Sequence, residues 1–459
     1  MWSQLHVSKG KAYVETLLER AKGSALHITT SLDDPVGTIM LFSPHTAQIR
    51  YLSFEETFWE DVQRFSEVNS GPLPLLHTLR ISAFEESNLN VMTPPSLPLF
   101  TGAINLKEFV LQSERSPCLH HFVFPNLTTF ELSAMPAFEG FNVSQLLDFL
   151  EASPMLQTVH MKIINDILLE DVPRERVVVL PSVETFSLIV SEGRPGYEIA
   201  ARVSCPSARH ASFMHERDVP RANIQEIFVF PTFVPWSAIA RQYTKGPVEG
   251  IALEIKFSRD PLIECSITFQ SPDATTLKLG FQINESEEEE EFQMPFEEMH
   301  YQVFHQASRT IRDHPLLENV KRLDISHRAL FVDSVYFLRL TEEVEQLFKS
   351  MGPLEELTTF GCDLNLYFGS FLELSGSHGL TAVPPVRKLT ISHPSYKRNK
   401  ELCMAAIVGL AKSRHALGIP FEHLNVCMER LPTVTAERLE PWVGAVDCRE
   451  EVEPDYDYY

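Results

Sequence analysis

A short hydrophobic pattern returns through most of this 459-residue sequence. Each copy has an apolar residue, two variable residues, an apolar residue, one variable residue and a further apolar residue. The last three positions alternate with a period of two, which is typical of a short β-strand with one buried face. The pattern therefore predicts a series of twelve strands along the chain. The copies are Ile49-Leu52-Phe54, Leu76-Leu79-Ile81, Leu106-Phe109-Leu111, Leu127-Phe130-Leu132, Leu156-Val159-Met161, Val183-Phe186-Leu188, Ala208-Ala211-Phe213, Ala274-Leu277-Leu279, Val320-Leu323-Ile325, Leu354-Leu357-Thr359, Val386-Leu389-Ile391 and Phe421-Leu424-Val426.

Proline marks the start of many of these copies. The copies lie roughly 34 residues apart on average, and the early gaps of about 25 to 30 residues are within or close to the length range of leucine-rich repeats. In seven of the twelve, a proline stands two residues before the first apolar position. Because proline has no N–H and is tolerated at the first residue or the edge of a strand, we interpret these prolines as strand-start residues. They are Pro74, Pro125, Pro154, Pro181, Pro206, Pro272 and Pro384.

Segments with helical periodicity separate the strands. Asn142 and Thr341 are candidate N-caps, Thr341 with two glutamates in the first turn that follows it. A longer helix is predicted from about Arg398 to Ala416, ending at Gly418-Ile419-Pro420. The apolar stripes of the other predicted helices are Val143-Leu146-Leu147-Leu150, Met299-Val303-Ala307-Ile311 and Val344-Leu347-Phe348-Met351.

Strand, turn and helix repeated at this period predict an α/β fold. We expect a leucine-rich-repeat-like curved solenoid with a parallel sheet on the concave face and helices outside. The strictly alternating runs Ile251–Phe257 and Ile263–Phe269 predict a hairpin within the array. The expected organisation is one long repeat domain. Its parts are an N-terminal helix–strand cap (1–45), a repeat array (46–215), irregular repeats or an inserted hairpin with an acidic loop at 285–298 (216–300), C-terminal repeats and cap (301–446) and an acidic tail (447–459).

Composition and charge exclude several classes of protein. A hydrophobic content of 44% argues against wholesale disorder. The formal net charge of −23 argues against a nucleic-acid partner, since phosphate binding depends on Lys and Arg. There is no apolar run long enough to span a membrane and no signal-peptide core at the start. The seven cysteines form no C-x-x-C pair. We therefore expect a cytoplasmic or nuclear protein with no membrane partner.

A search for chemistry in the sequence finds no convincing site. Neither a glycine-rich phosphate loop nor H-E-x-x-H occurs. Cys118-Leu119-His120-His121 is the densest group of metal-type residues, but no second ligand pair accompanies it, so a loop is favoured over zinc. Ser375–Gly379 lacks the first glycine of a nucleophile elbow and is interpreted as a turn. We accordingly predict no catalytic residue, no metal and no cofactor.

Both ends of the chain carry motifs of one family. Near the start are Trp2–Leu5, Ser8–Gly10, the helix with Val14, Leu17, Leu18 and Ala21, and the strand-like Ala25–Ile28, followed by Ser43–His45 and Ile49–Leu52. Near the end are Ala411–Arg414, Gly418–Phe421 and Leu424–Val426. In these loose hydrophobic phrases the sequence resembles the leucine-rich-repeat-like F-box proteins of basidiomycete fungi, over nearly its whole length.

The resemblance implies a role in protein recognition. Members of that family receive substrates for Skp–cullin–F-box ubiquitin ligases, and their F-box binds the Skp adaptor. The F-box itself would precede Trp2 and is missing from this sequence. A Skp adaptor and a cullin are therefore expected partners only if an F-box is encoded upstream of Met1.

The function predicted from the sequence is non-enzymatic binding of an unknown protein ligand. The candidate residues lie between the buried positions of the repeats and so face the concave side of the predicted sheet. A structural or scaffolding repeat protein without a ubiquitin link is the first alternative, and an α/β hydrolase or other enzyme is the second. The candidates are Thr78, Arg80, Glu108, Thr129, Glu131, Thr158, His160, Thr185, Ser187, Arg322, Asp324, Lys388 and Thr390.

Overall fold

The chain divides into two compact units, Met1–Glu216 (unit 1) and Arg217–Tyr459 (unit 2). The structure is a computed structural model. It describes residues 4–6, 11–31, 40–69, 71–84, 99–113, 119–135, 141–164, 167–168, 173, 175–191, 193–219, 243, 247–257, 263–285, 296–312, 319–327, 334–351, 354–360, 386–393, 400–428 and 434–450.

Unit 1 is built on a parallel sheet whose strands follow one another in chain order. The sheet order is β1-β2-β3-β4-β5-β6-β8-β11-β13, and every neighbouring pair is parallel. The remaining four strands form two short parallel pairs, β7 with β9 and β10 with β12. The strands are β1 (Gln4–His6), β2 (Leu26–Ser31), β3 (Ile49–Phe58), β4 (Thr78–Phe84), β5 (Glu108–Ser113), β6 (Thr129–Ala134), β7 (Phe141–Asn142), β8 (Thr158–Ile163), β9 (Ile167–Leu168), β10 (Val178–Val179), β11 (Thr185–Val190), β12 (Val203–Ser204) and β13 (His210–Val219).

The helices of unit 1 lie between these strands. They are α1 (Lys11–Ala21), α2 (Trp59–Val68), α3 (Val143–Glu151) and α4 (Gly193–Arg202), with 3-10 helices at Met40–Gln48 and Leu119–His121. The prediction for Asn142 is confirmed, because its side chain accepts a hydrogen bond from the Gln145 N–H at 3.1 Å at the start of α3. The apolar residues of α3 are buried, as its stripe predicts.

The core of unit 1 is rich in phenylalanine. Every apolar position of the pattern from Ile49 to Phe213 is buried. Phe109 lies at the centre of one aromatic cluster, with ring-centre distances of 4.9 Å to Phe122, 5.3 Å to Phe124 and 5.9 Å to Phe130. Phe149 joins α3 to this cluster at 4.6 Å from Phe130. Large rings on consecutive repeats therefore bury area against one another and fill the space between sheet and helices.

The prolines of unit 1 do not lie at strand starts, and that interpretation is wrong. Pro125 precedes β6 by four residues and occupies the second position of a β-turn closed by the Leu127 N–H, which donates to the Phe124 carbonyl at 3.1 Å. Proline suits this position because its φ is fixed near the value that the turn needs. The turn then directs the first apolar residue of the pattern into the core. The same turn precedes β4, β5, β8, β11 and β13, with hydrogen bonds from Leu76 to Leu73, Leu106 to Ala103, Leu156 to Ser153, Val183 to Leu180 and Ala208 to Cys205.

Unit 2 combines an antiparallel meander with a parallel array. The predicted hairpin is confirmed, since β14 and β15 are antiparallel and β16 extends them by a third antiparallel strand. From β14 the sheet continues in parallel through β17, β18, β19, β20 and β21. The strands are β14 (Gly250–Phe257), β15 (Ile263–Gln270), β16 (Thr276–Glu285), β17 (Arg322–His327), β18 (Glu356–Phe360), β19 (Lys388–His393), β20 (His423–Met428) and β21 (Val446–Glu450).

The meander corrects one copy of the repeat pattern. Ala274-Leu277-Leu279 belongs to the hairpin turn and to β16, not to a strand of the parallel array. Ala274 is exposed and has a φ of +65°, whereas Leu277 and Leu279 are buried. The alternation of buried residues is shared by parallel and antiparallel strands, so the pattern alone did not separate them.

The helices of unit 2 confirm one predicted helix end and overturn one predicted helix start. They are α5 (Phe296–Arg312), α6 (Ser334–Ser350), α7 (Lys400–Ala416) and α8 (Val434–Leu439), with a 3-10 helix at Glu440–Trp442. The α7 helix ends before Gly418, whose φ is +76°, as predicted. The prediction that Thr341 caps a helix is wrong, because α6 begins at Ser334 and Thr341 lies in its interior. The local signal of a cap and two acids was outweighed by seven earlier residues that also adopt the helix.

These elements confirm the predicted fold class. The protein is α/β, with long, mostly parallel sheets and interspersed helices in the manner of a leucine-rich-repeat-like solenoid. Within the described ranges no helix is long and apolar enough to cross a membrane. Parts of the acidic loop and tail, at 286–295 and 451–459, lie outside the described residues, as do Cys118, Pro384 and Ser375–Gly379.

Candidate functional site

All thirteen candidate residues lie on the sheet face opposite the core. In each strand they alternate with buried apolar residues, for example Thr129 and Glu131 with Phe130 and Leu132. Nine belong to unit 1 and four to unit 2. Thr78 is itself buried, whereas the other twelve are half-buried or exposed. The alternation of period two was therefore sufficient to assign the face of each side chain.

The parallel register brings the unit 1 candidates into two rows across the sheet. One row consists of Thr78, Glu108, Thr129, Thr158 and Thr185 on neighbouring strands. The other runs through Arg80, Val110, Glu131, His160 and Ser187. Because neighbouring strands are about 4.8 Å apart, consecutive side chains of a row are in reach of one ligand.

At the β4–β5 end of these rows the polar groups bond to one another. Arg80 Nη2 donates to Glu108 Oε1 at 2.8 Å, and Thr78 Oγ1 donates to Glu108 Oε2 at 3.3 Å. The hydrogen bond that Arg80 donates to Glu108 raises the pKa of the Arg80 guanidinium, against a smaller effect of burial. The carboxylate of Glu108 is thus occupied within the sheet face.

On β6, β8 and β11 lie six candidate polar side chains that are not bonded to other described residues. We name Thr129, Glu131, Thr158, His160, Thr185 and Ser187 the β6–β11 patch. None of these six makes a side-chain hydrogen bond or ion pair to another residue in the part of the chain that the structure describes. Glu131 is its one carboxylate. Hydroxyl, imidazole and carboxylate groups that have no internal partner are available to a ligand.

Sequence reasoning missed a third outward position in each strand. Lys162, the third outward residue of β8, lies in register with Ser133 of β6 and bonds Glu216 of β13 at 2.8 Å. It also missed the start of the first row, where the His27 and Tyr51 rings stack with centres 5.7 Å apart. For Lys162 the signal was present, since it lies two positions along β8 from the recognised outward residue His160. For Tyr51 it was present as well, since this residue directly precedes the buried Leu52 of the repeat pattern. The search had stopped at two outward positions for each repeat.

On unit 2 the candidate residue Arg322 makes side-chain contacts that the sequence did not indicate. Arg322 Nε lies 3.3 Å from Asp324 Oδ2, and Arg322 Nη2 donates to Gln270 Oε1 on the far side of β14. The strand between them carries Gly250, where a Cβ would lie 3.2 Å from Gln270 Oε1 and 3.4 Å from the guanidinium. The glycine therefore leaves room for Arg322 to cross β14 along the sheet face.

The other charges of the unit 2 face are paired in the same way. Lys388 bonds Glu356 on the neighbouring strand, and this contact raises the pKa of the lysine. Lys256 lies 3.0 Å from Glu254 and Arg449 lies 2.8 Å from Asp447. Thr390 is half-buried in register with Thr358 and Asn425. These charged side chains of unit 2 are therefore compensated by neighbouring side chains of opposite charge, in contrast to the side chains of the β6–β11 patch.

The histidine-rich segment shows no metal geometry. Within the described ranges no group of three or more His, Cys, Asp or Glu side chains is placed to hold a metal ion. His121 is buried on the 3-10 helix Leu119–His121, and burial followed by the neighbouring His120 lowers its pKa. Its backbone carbonyl accepts the Leu99 N–H at 2.8 Å, so the segment contributes to packing and backbone bonding.

Comparison with protein-family models gives no match for this chain, and a search of the curated proteins gives none either. The structure itself shows a mostly parallel α/β repeat array. The likeness to fungal F-box proteins rests on the sequence motifs alone.

Proposed function

We propose that this protein is a non-enzymatic recognition module that binds an extended segment of a protein ligand through the β6–β11 patch. The observation that carries the proposal is the contrast between the two sheet faces. The pairs Arg322–Asp324 and Lys388–Glu356 of the unit 2 face bond internally. In contrast, the six side chains of the patch make no hydrogen bond or ion pair to other described residues, and Glu131 has only a longer-range electrostatic interaction with Arg80. A polar group that already has a partner gains little from a ligand, whereas an unpaired one gains a hydrogen bond.

Charge indicates the kind of ligand. Glu131 is the one carboxylate of the patch, and the side chain before it in the row, Val110, is apolar and buried. A lysine or arginine can place its charged head on Glu131. The ligand that fits is a segment with a basic residue flanked by polar ones.

The finer proposal is that the module is the substrate-binding part of an F-box type ubiquitin-ligase receptor. It is supported by the motifs at Trp2–Leu5, Ser43–His45 and Gly418–Phe421 and by a repeat fold of the expected class. It requires an F-box in the full-length product. A scaffolding role without a ubiquitin link shares the same binding face.

Affinity purification of the native full-length product with quantitative mass spectrometry tests both levels. We expect a specific partner whose recovery falls at least tenfold with Glu131→Lys, since the new charge repels the basic residue of the ligand. Glu19→Lys, a change of an exposed acid on α1 away from the sheet face, serves as the matched control and should leave recovery unchanged. Equal recovery with wild type and Glu131→Lys would contradict the binding face. Absence of a Skp-type adaptor and a cullin from the purified material would contradict the ligase role alone.

A further inference from the structure

Unit 1 exposes a row of apolar residues on the turns that precede its strands. The second positions of six consecutive turns are Pro74, Ile104, Pro125, Pro154, Pro181 and Pro206. These turns precede β4, β5, β6, β8, β11 and β13, so one apolar residue lies on the turn before each of these strands. Four exposed aliphatic residues flank the row, namely Leu75, Val123, Met155 and Val179. We name these ten residues the turn row.

The turn row concentrates most of the exposed apolar surface of the described protein. Eight large hydrophobic side chains are exposed in the described ranges. Four of them, Leu75, Ile104, Val123 and Met155, lie on or next to the turns of unit 1, and two more, Val177 and Val179, lie at β10 before the turn that leads to β11. Their exposed fractions lie between 49% and 58%. In the described part of unit 2 there is none. Single exposed hydrophobics are ordinary, but an aligned set marks an interaction surface.

Turn chemistry explains only part of this row. Proline at the second position fixes the turn, and asparagine or serine at the third position is the usual choice. Asn105, Asn126 and Ser182 follow that rule. Leu75 and Met155 occupy the same third position without any need of the turn, and Ile104 stands where the other turns have proline. These aliphatic residues therefore require another explanation.

The row is held in a fixed arrangement by side-chain bonds between turns. Asn105 Nδ2 donates to the Pro74 carbonyl and Asn126 Nδ2 donates to the Ile104 carbonyl, each at 2.9 Å. Lys107 Nζ donates to the Asn126 carbonyl at 3.1 Å, which places a cation beside the row. A preorganised apolar surface binds without the entropic cost of ordering it first.

Spacing decides which kind of partner fits. The row presents one residue for each strand, at intervals of about 4.8 Å. An α-helix presents one apolar side chain for each turn of about 5.4 Å. An extended chain repeats a face only every 6.6 Å or so. Over four intervals the turn row spans about 19 Å, the apolar residues of a helix about 22 Å and those of an extended chain about 26 Å. The spacing of a helix therefore matches the row more closely than that of an extended chain.

We propose that the turn row of unit 1 is a docking surface for an amphipathic helix of a protein partner, separate from the β6–β11 patch. The helix has apolar residues at positions i, i+3 or i+4, and i+7, and it lies along the turns of β4 to β11. An acidic residue near its β5 end pairs with Lys107, whose ammonium group already lies at the row.

Two display libraries of 18-residue peptides with equal composition test this proposal on the full chain. One library has helical spacing of apolar and acidic residues, and the other has strict alternation. We expect enrichment from the helical library only, with binding that falls at least tenfold in Ile104→Glu. Met135→Glu is the matched control, because it changes an exposed apolar residue of unit 1 that lies outside the turn row, and it should retain binding. Glu131→Lys should retain binding as well, which separates this surface from the sheet face.

Four results would overturn the proposal. They are no enrichment from the helical library, enrichment from the alternating one, binding that Ile104→Glu leaves unchanged, and light scattering that shows a wild-type dimer dissociated by Ile104→Glu. The last result would mean that a second copy of the chain covers the row. Circular dichroism of Ile104→Glu establishes that the variant is folded before binding is compared.

Discussion

A single buried arginine joins three segments of unit 2. Arg414 lies on α7 with almost no exposed surface, and its Nη2 donates to the Val386 carbonyl at 3.0 Å. Its Nε donates to the Ile419 carbonyl at 3.2 Å, and the guanidinium lies 4.5 Å from the centre of the Phe421 ring. Burial lowers its pKa to about 10, so it stays charged at neutral pH. The residue thereby links the helix, the segment before β19 and the turn before β20.

We predict that Arg414→Ala lowers the free energy of unfolding by about 3 kcal/mol, since it orphans two carbonyls and leaves a cavity. Arg414→Met keeps much of the volume and should cost less. Lys412→Ala, an exposed change on the same helix, is the control and should cost about 0.5–1 kcal/mol through its contact with Trp442. Urea unfolding monitored by fluorescence measures the series. An Arg414→Ala midpoint equal to that of wild type would show that these bonds contribute nothing net.

At the scale of elements, the strands of unit 2 carry alternating charges in register. The residues that enter neighbouring parallel strands are Glu249, Lys321, Glu355, Arg387 and Glu422, and they alternate in sign along the sheet. Arg387 Nη1 lies 3.5 Å from Glu422 Oε1. Backbone bonds run between consecutive members, for instance from the Arg387 N–H to the Glu355 carbonyl at 2.7 Å. Opposite charges on adjacent strands stabilise this pairing, and like charges there disfavour it.

Arg387→Glu places three acids side by side in this row, and we expect it to cost about 1 kcal/mol. Arg387→Ala, which removes attraction without adding repulsion, should cost less than half of that. Because the residues are exposed, the difference between the two variants should shrink in 1 M salt. Thermal unfolding at low and high salt measures both. A salt-independent difference would point to a packing defect in place of charge repulsion.

On the scale of the whole molecule, stability is organised by neighbouring repeats. Among the described residues, consecutive strands of the unit 1 array pair with one another in series, and the Phe109 cluster spans β5, β6 and α3. A repeat array of this kind is approximately a sum of repeat and interface terms. Damage to one repeat should therefore spread mainly to its neighbours.

Phe130→Ala removes a fully buried ring next to Phe109 and Phe149, and we expect a loss of about 3–5 kcal/mol in local stability. Hydrogen exchange should show the largest loss of protection in β5, β6 and β8 and a smaller loss in β2 and β3. Thr129→Ala, on the outward face of the same strand, is the control. A uniform loss of protection across unit 1 would mean that the unit unfolds as one cooperative block.

The positions of most strands of the repeat array, the buried face of each strand and the class of fold could be predicted from the sequence alone. This was possible because period-two burial is a local property that each strand displays in its own residues. The same local logic correctly placed the α3 cap at Asn142 and the end of α7 at Gly418. It failed at Thr341, where a local cap signal lies inside a longer helix.

Which polar side chains bond one another became visible only in the folded protein. Arg322 reaches Gln270 across Gly250, and Glu108 is occupied by Arg80 and Thr78, whereas Glu131 two strands from Arg80 has no bonded partner in the described chain. The structure also turned the prolines from strand-start residues into a row of aligned turns. Pairing and alignment depend on the register between strands that are distant in sequence. That register is set by packing of the whole sheet, which no single repeat contains.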